Sequence, residues 1–174
     1  MAKITLWMLK RNHPKKYLDN LNNNKMSTYT ETIGEKLNDL LEKTYDAEKG
    51  YKKAAENTEH PLLKPYFERR SKERTDFKQA IKTEIKQFGQ NPETEGSLTG
   101  KVHRTWMDTK ALFAADKAEA MLEESIRGEK SAVAEYKELL NDTQLPPSTA
   151  IMLKDQMNRI AYDLSTIKTL ENLS

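Results

Sequence analysis

Apolar residues recur at alternating spacings of three and four residues along four separate stretches of the chain, at positions 37–55, 67–88, 118–139 and 153–167. This spacing places them on one stripe of an α-helix, and such a stripe must be buried against other helices. Six Gly and six Pro are too few for a turn-dense all-β chain. We therefore predict an all-α fold with four long helices in the 174 residues.

The connections between these helices predict their topology. Short turns around residues 57–61 and 141–147 make helices 1 and 2, and helices 3 and 4, antiparallel hairpins. Residues 89–115 are enough to cross the length of the bundle, and they include a short amphipathic stretch around 102–113. Two hairpins joined by a long crossover form the arrangement of ferritin-like bundles. The sequence thus predicts a ferritin-like four-helix bundle with a short extra helix in its crossover.

The N-terminal region differs from the rest in charge. Residues 1–25 hold six positive side chains and one negative, whereas the other 149 residues hold 23 positive and 26 negative. Pro14 and the run Asn22–Asn24 oppose a continuous helix, and Thr28 or Thr32 begins a capping box for helix 1. We predict a flexible basic extension over residues 1–25 and the bundle over residues 26–174.

The extension has two alternative roles. Ile4, Leu6, Trp7 and Leu9 lie beside basic residues, a composition suited to weak contact with a membrane surface. Alternatively, Trp7 and Leu9 dock on the bundle and cover an exposed apolar stripe.

Several classes of protein are excluded by composition. The absence of Cys excludes disulfides and thiolate metal sites, and no apolar run is long enough for a membrane span. A mildly acidic bundle disfavours nucleic-acid binding. No phosphate-binding loop, dinucleotide fingerprint or zinc-protease motif occurs. We expect a non-enzymatic protein that binds itself, as a homo-oligomer, or another protein, and that needs no cofactor.

Two glutamates lie on the apolar stripes at matching places in an internal repeat. The segment LEKTYDAEK at 41–49 aligns with LEESIRGEK at 122–130, which pairs Glu48 with Glu129. A carboxylate at such a position needs a partner. One interpretation is a carboxylate-bridged iron or manganese site formed by Glu48, Glu73 and Glu129, in a storage or oxidative protein. Against it, the four predicted helices contain no His to complete the ligand set.

The preferred interpretation is a polar network without metal. Arg70 and Arg74 lie on the stripe of helix 2, and the repeat aligns Arg159 with Arg74. A guanidinium offers five donors and stays charged, so it can hold a buried carboxylate. In the crossover, His103 and Trp106 share one helical face. One interpretation makes His103 a proton shuttle or a ligand. The preferred interpretation is that Trp106 covers the end of the core and that His103 has a structural role beside it.

Residues 33–171 resemble a family of small bacterial ferritin-like four-helix-bundle proteins catalogued as a domain of unknown function. The resemblance is carried by residues 37–56, 67–77 and 122–136, and most specifically by the crossover segment GSLTGKVHRTWMDTK at 96–110. It implies a cytoplasmic bundle without an assigned reaction, and analogy with ferritin-like proteins suggests a role in stress physiology. Relatives tend to carry a His-Asp pair late in helix 4, where this chain has Tyr162-Asp163. That departure weakens any transfer of a metal site.

Overall fold

Four α-helices make up most of the described chain. The computed structural model describes residues 14–94, 118–142 and 144–173. The helices are α1 (Pro14–Asn57), α2 (Leu63–Gln87), α3 (Ala118–Asp142) and α4 (Pro147–Thr166), followed by a short 3-10 helix, Leu170–Leu173. These described ranges contain no strand, and the predicted all-α, four-helix fold is confirmed. None of the helices in them is both long enough and apolar enough to cross a membrane.

Side-chain contacts between helices define how they run. In the first hairpin, Asn38 of α1 bonds Asn91 just beyond α2, and Glu48 bonds Thr75, so α1 and α2 are antiparallel. In the second hairpin, Tyr136 of α3 bonds Gln156 of α4.

The two hairpins meet so that α2 and α4 are antiparallel while α2 and α3 are parallel. The α2–α4 contacts are Arg70 with Asp163 and Glu84 with Thr149, and the α2–α3 contacts are Tyr66 with Ser125 and Arg70 with Glu129. Because α2 and α3 are parallel, the end of α2 and the start of α3 lie at opposite ends of the bundle. The extra helix predicted between them lies outside the described residues.

All four helices contribute to the core through the predicted stripes. Buried residues of the larger cluster include Leu37, Leu41, Phe77, Ile81, Leu139, Leu153 and Ile160. A second cluster, at the end nearest the α1–α2 turn, contains Tyr51, Leu63, Phe67 and Leu122. Each fully buried apolar side chain contributes about 1.5–3 kcal/mol of transfer free energy. The core therefore stabilises the bundle along its whole length.

The start of α1 differs from the prediction. Helix α1 begins at Pro14, so the expected break before residue 26 is wrong. Proline is tolerated in a first turn, and Asn costs well under 1 kcal/mol per residue once a helix has formed. The hydroxyls of Thr28 and Thr32 donate to carbonyls one turn back, at Asn24 and Thr28, instead of capping a helix.

The first part of α1 lies beyond the core. Among the side chains of α1 whose burial is described, Asp19 and residues 22–29 are exposed, and the first buried one is Ile33. Residues 14–32, which we call the arm, span about 28 Å at 1.5 Å per residue. The predicted division between residues 25 and 26 therefore falls inside one continuous helix.

The end of α2 and the start of α4 follow from local sequence. Gly89 has a φ of 71°, and its N–H and that of Gln90 bond the carbonyls of Lys86 and Ile85. This is the Schellman motif, in which Gly is favoured because it has no Cβ. Helix α4 begins at Pro147.

Candidate functional site

Glu129 lies at the centre of a polar layer inside the bundle. Helix α3 directs it inward because it occupies the same stripe as Leu122, Ser125 and Tyr136, and it is only 2% exposed. Its Oε1 accepts hydrogen bonds from Nε and Nη2 of Arg70, at 3.1 and 2.7 Å. Its Oε2 accepts from Nη2 of Arg74, and the Tyr51 hydroxyl also donates to Oε1. Both carboxylate oxygens are thus bonded to cationic donors.

Arg70 connects three helices through one guanidinium. It is fully buried, and its Nη1 lies 2.6 Å from Oδ2 of Asp163 in α4 and 2.6 Å from Oε2 of Glu73. Nη1 of Arg74 lies 2.9 Å from the same Glu73 oxygen. We call Arg70, Arg74, Glu73, Glu129 and Asp163 the arginine layer.

The charges of the arginine layer are nearly balanced. Two guanidinium groups face three carboxylates inside it, and the exposed Arg69 adds a third cation by bonding Oδ2 of Asp163 at 2.9 Å. Mutual pairing offsets the cost of removing these charges from water. The layer is therefore stable only as a set.

Burial and pairing act in opposite directions on the charged groups. Burial by itself would raise the pKa of Glu129, but the guanidinium groups of Arg74 and Arg70 outweigh it and hold that pKa below its ordinary 4.5. Burial likewise opposes the charge of Arg70, but the Glu129 carboxylate keeps the pKa of Arg70 above its ordinary value. Glu129 and Arg70 are therefore both charged at neutral pH.

Aromatic and hydroxyl side chains close the layer toward the α1–α2 turn. The hydroxyls of Tyr51 and Tyr66 each lie 3.2 Å from Oγ of Ser125. The Arg74 guanidinium carbon lies 5.9 Å from the ring centre of Tyr51 and 5.2 Å from that of Phe77. Burial, followed by the Glu129 charge, raises the pKa of Tyr51 well above its ordinary value. Tyr51 therefore acts here as a neutral hydrogen-bond donor.

Glu48 has a different environment. It is half-buried between α1 and α2, where Lys78 forms an ion pair with it and the Thr75 hydroxyl donates at 2.6 Å. Burial opposes its charge, but these two donors outweigh that effect and lower the pKa of Glu48. Lys78 also lies over the Tyr45 ring, 4.9 Å from its centre. The expectation that an arginine balances Glu48 is wrong.

Arg159 does not join the arginine layer either. Its side chain is 57% exposed, and it pairs at 3.0 Å with Asp155 one turn earlier on α4. The polar seam network of the structure is therefore built from Arg70 and Arg74 alone among the three predicted arginines. His103 and Trp106 lie outside the described residues.

The candidate metal ligands are held by cations. Glu73 and Glu129 both bond Arg70 and Arg74, while Glu48 bonds Lys78. Within the described ranges, no group of three or more His, Asp or Glu side chains is arranged to hold a metal ion. Guanidinium groups occupy the positions between the carboxylates where iron or manganese would need free oxygen ligands. In this arrangement the donor set does not fit either metal.

Three members of the site were not predicted from the sequence. Asp163 lies one residue from the α4 stripe position Leu164, so the apolar spacing alone does not select it. Tyr51 and Ser125 lie within the predicted stripes at 37–55 and 118–139, but their position beside Glu129 depends on which helices are neighbours. Matching the polar positions of the stripes on α1, α2 and α3 against one another could have indicated that Tyr51 and Ser125 lie beside Glu129.

A family model described as "Domain of unknown function (DUF2383)" matches residues 32–142. The match starts where the arm ends, and it spans the rest of α1, all of α2 and all of α3. It covers well over half of the chain, which therefore belongs to this family. No curated protein matches the chain.

Proposed function

We propose that this member of the DUF2383 family is a non-enzymatic four-helix bundle that acts by associating with itself or with a protein partner. The observation that carries the proposal is the state of Glu129, whose two oxygens are bonded by Arg70, Arg74 and Tyr51. A buried acid or base that performs chemistry keeps a face open toward a cavity for its substrate. The bonding of Glu129 instead supports a structural role for the arginine layer.

The arginine layer is suited to fixing how the helices pair. Arg70 of α2 bonds Glu129 of α3 and Asp163 of α4, and a planar guanidinium accepts few alternative geometries. A shift of one helix by one turn would leave a buried charge without its partner. We propose that the layer selects one register for the two hairpins. The parallel α2 and α3 also support the ferritin-like arrangement predicted from the sequence.

A cavity of about 340 Å³ lies away from the arginine layer. It is an open groove between α3 and α4, and Leu140, Ile151 and Met157 are among its lining residues. None of the residues that line it belongs to the layer. This separation supports binding at the surface of the bundle rather than chemistry in its interior.

The alternative function is a carboxylate-bridged iron or manganese protein. It would require Arg70 and Arg74 to leave Glu73 and Glu129, and Glu48 to turn inward from Lys78. Elemental analysis of protein purified without chelators or metal-affinity tags separates the two functions. We expect iron and manganese far below one ion per chain.

The matched control is Glu129→Gln purified in the same way. Iron or manganese near one ion per chain in the native protein, and lost in Glu129→Gln, would overturn the non-enzymatic proposal. Equal trace amounts in both proteins would show adventitious metal and support it.

A further inference from the structure

The groove between α3 and α4 has an apolar floor at the end of the bundle where these two helices are joined. Its lining comes from the last turns of α3 and the first turns of α4, and it includes Leu140, Ile151 and Met157. Leu140 and Met157 pack against the larger core cluster, so the floor is the outer surface of a packed core. Ile151 is 69% exposed. The groove therefore presents apolar surface to solvent on a base that packing holds in place.

Two lysines and one amide lie beside this floor. Lys137 and Asn141 of α3 and Lys154 of α4 form the polar part of the lining, which contains no carboxylate. The bond between Tyr136 and Gln156 puts Lys137 and Lys154 at the same level on the two helices. An ammonium group offers three donors and no acceptor, and the Asn amide adds two donors. These groups favour a ligand with an anionic head.

Neither lysine is neutralised within the described chain. None of the ion pairs among the described residues involves Lys137 or Lys154. The positions three and four residues away on their own helices, where helical ion pairs form, hold only uncharged side chains. Glu138 and Asp155 directly follow the lysines in sequence, but each lies about 100° around its helix. Neither of them lines the groove, and Asp155 pairs with Arg159.

The size of the groove favours a small molecule over a protein. Its volume is about 340 Å³, which lies at the lower end of the roughly 300–1,000 Å³ typical of small-molecule pockets. From Ala150 to Met157 the lining extends about 10 Å along α4, or about two turns. A stable protein interface buries about 800 Å² on each partner, far more than so short a groove provides.

We propose that the groove binds a small aliphatic anion of the kind represented by a medium-chain fatty acid. Its hydrocarbon chain packs on Leu140, Ile151 and Met157, which removes apolar surface from water. Its carboxylate accepts charge-assisted hydrogen bonds from Lys137 and Lys154. The inference goes beyond the proposed association of the bundle with proteins and does not depend on it.

Titration of the full chain with decanoate, kept below its micelle concentration, tests the proposal. We expect isothermal titration calorimetry to show saturable binding with one decanoate per chain. Decanol and decyltrimethylammonium carry the same chain with a neutral and a cationic head. Each should bind at least about tenfold more weakly, because the loss of one hydrogen bond to a charged group corresponds to roughly a tenfold rise in Kd.

Substitutions in the lining locate the bound decanoate. Lys137→Gln and Lys154→Gln should each raise its Kd about tenfold. Ile151→Gln should also raise the Kd, because it replaces part of the apolar floor. Lys130→Gln is the matched control, since Lys130 is exposed on α3 two turns before Lys137 and does not line the groove. It should leave the Kd unchanged, and far-UV circular dichroism checks that all four variants keep their helix content.

Vesicles of anionic phospholipid separate a free ligand from a membrane surface as the source of the anion. We expect the chain not to sediment with these vesicles. Sedimentation with them that is lost in Lys137→Gln would assign the lysines to a membrane surface and overturn the proposal.

Three results of the titration would also overturn the proposal. They are no saturable decanoate binding, equal binding of decanoate and decanol, and a Kd for decanoate that neither lysine substitution changes. None of these results concerns metal content or the oligomeric state of the chain. A failure here is therefore distinguishable from a failure of the non-enzymatic proposal.

Discussion

Glu48 and Glu129 occupy matching positions in the predicted repeat, yet their surroundings differ. Glu129 is buried and bonded by two arginines and a tyrosine, whereas Glu48 is half-buried and bonded by Lys78 and Thr75. Four of the nine aligned residues around the two carboxylates are identical, the glutamates included, but the partners across the bundle differ. The difference teaches that the facing helix contributes to whether a stripe glutamate enters the core.

The facing helices explain the asymmetry. Glu129 meets Arg70 and Arg74 of α2, both of which are buried. The repeat offset that aligns Arg74 with Arg159 in α4 also aligns Arg70 with Asp155. Asp155 and Arg159 pair with each other on the surface and offer Glu48 no buried cation. Full repeat symmetry would have placed a second pair of buried arginines opposite Glu48. The bundle contains only the pair opposite Glu129 among its described residues.

The largest expected effect is that of removing Arg70. Arg70→Ala leaves Glu129, Glu73 and Asp163 with one buried guanidinium among them, and we expect a loss of about 3–5 kcal/mol of unfolding free energy. Arg69→Ala is the matched control, because Arg69 bonds the same Asp163 from an exposed position and should cost under about 1 kcal/mol. Urea unfolding followed by circular dichroism measures both. Equal losses would contradict the buried layer.

The next largest effect on stability is expected from removing the Tyr51 hydroxyl. Tyr51→Phe removes a donor to the Glu129 carboxylate, and hydrogen bonds to charged groups contribute about 1.5–3 kcal/mol. Tyr45 packs on the Glu48 side through its ring, beneath Lys78 and Lys82. Tyr45→Phe keeps that ring and should change the unfolding free energy by under about 0.5 kcal/mol. Thermal and urea unfolding measure both variants. A larger loss of unfolding free energy in Tyr45→Phe than in Tyr51→Phe would contradict the comparison.

The dependence of stability on pH separates the two glutamates by a smaller effect. The folded protein lowers the pKa of both below 4.5, so each contributes stability above that pH and loses it as the pH falls through the folded pKa. Glu129→Gln should therefore flatten the fall in unfolding free energy between about pH 5 and pH 3. Glu48→Gln should flatten it less, because the Glu48–Lys78 pair keeps more contact with solvent than the Arg70–Glu129 pair. An unchanged slope in Glu129→Gln would show that its charge is not stabilised by folding.

The smallest effect is expected at Arg159. Its pair with Asp155 is exposed, and exposed helix pairs contribute about 0.3–0.5 kcal/mol. Arg159→Ala should accordingly shift the unfolding free energy by no more than about 0.5 kcal/mol. A loss near that of Arg70→Ala would mean that Arg159 enters the core after all.

Spacing along the chain was enough to predict the stripes and the inward direction of Glu129, Arg70 and Arg74, because helical periodicity is a local property. It did not predict the partner of Glu48, since that depends on which helix faces it. It also missed Asp163, which lies beside its stripe and is drawn in by Arg70.

The arm shows the limit of local propensity. Pro14 and the Asn run predicted a break before residue 26, but Pro14 occupies a first turn and the Asn residues lie inside α1. Small propensity costs do not end a helix that is anchored by a long packed segment such as Ile33 to Tyr51.

The unfolding free energies of Glu129→Gln and Glu48→Gln test the central claim most directly. Each substitution removes one negative charge at matching repeat positions and preserves side-chain shape. Glu129→Gln should cost about 1.5–3 kcal/mol, because a neutral amide replaces the buried carboxylate that accepts from both guanidinium groups, and Glu48→Gln should cost under about 1 kcal/mol. Equal costs, or a larger cost for Glu48→Gln, would contradict the account.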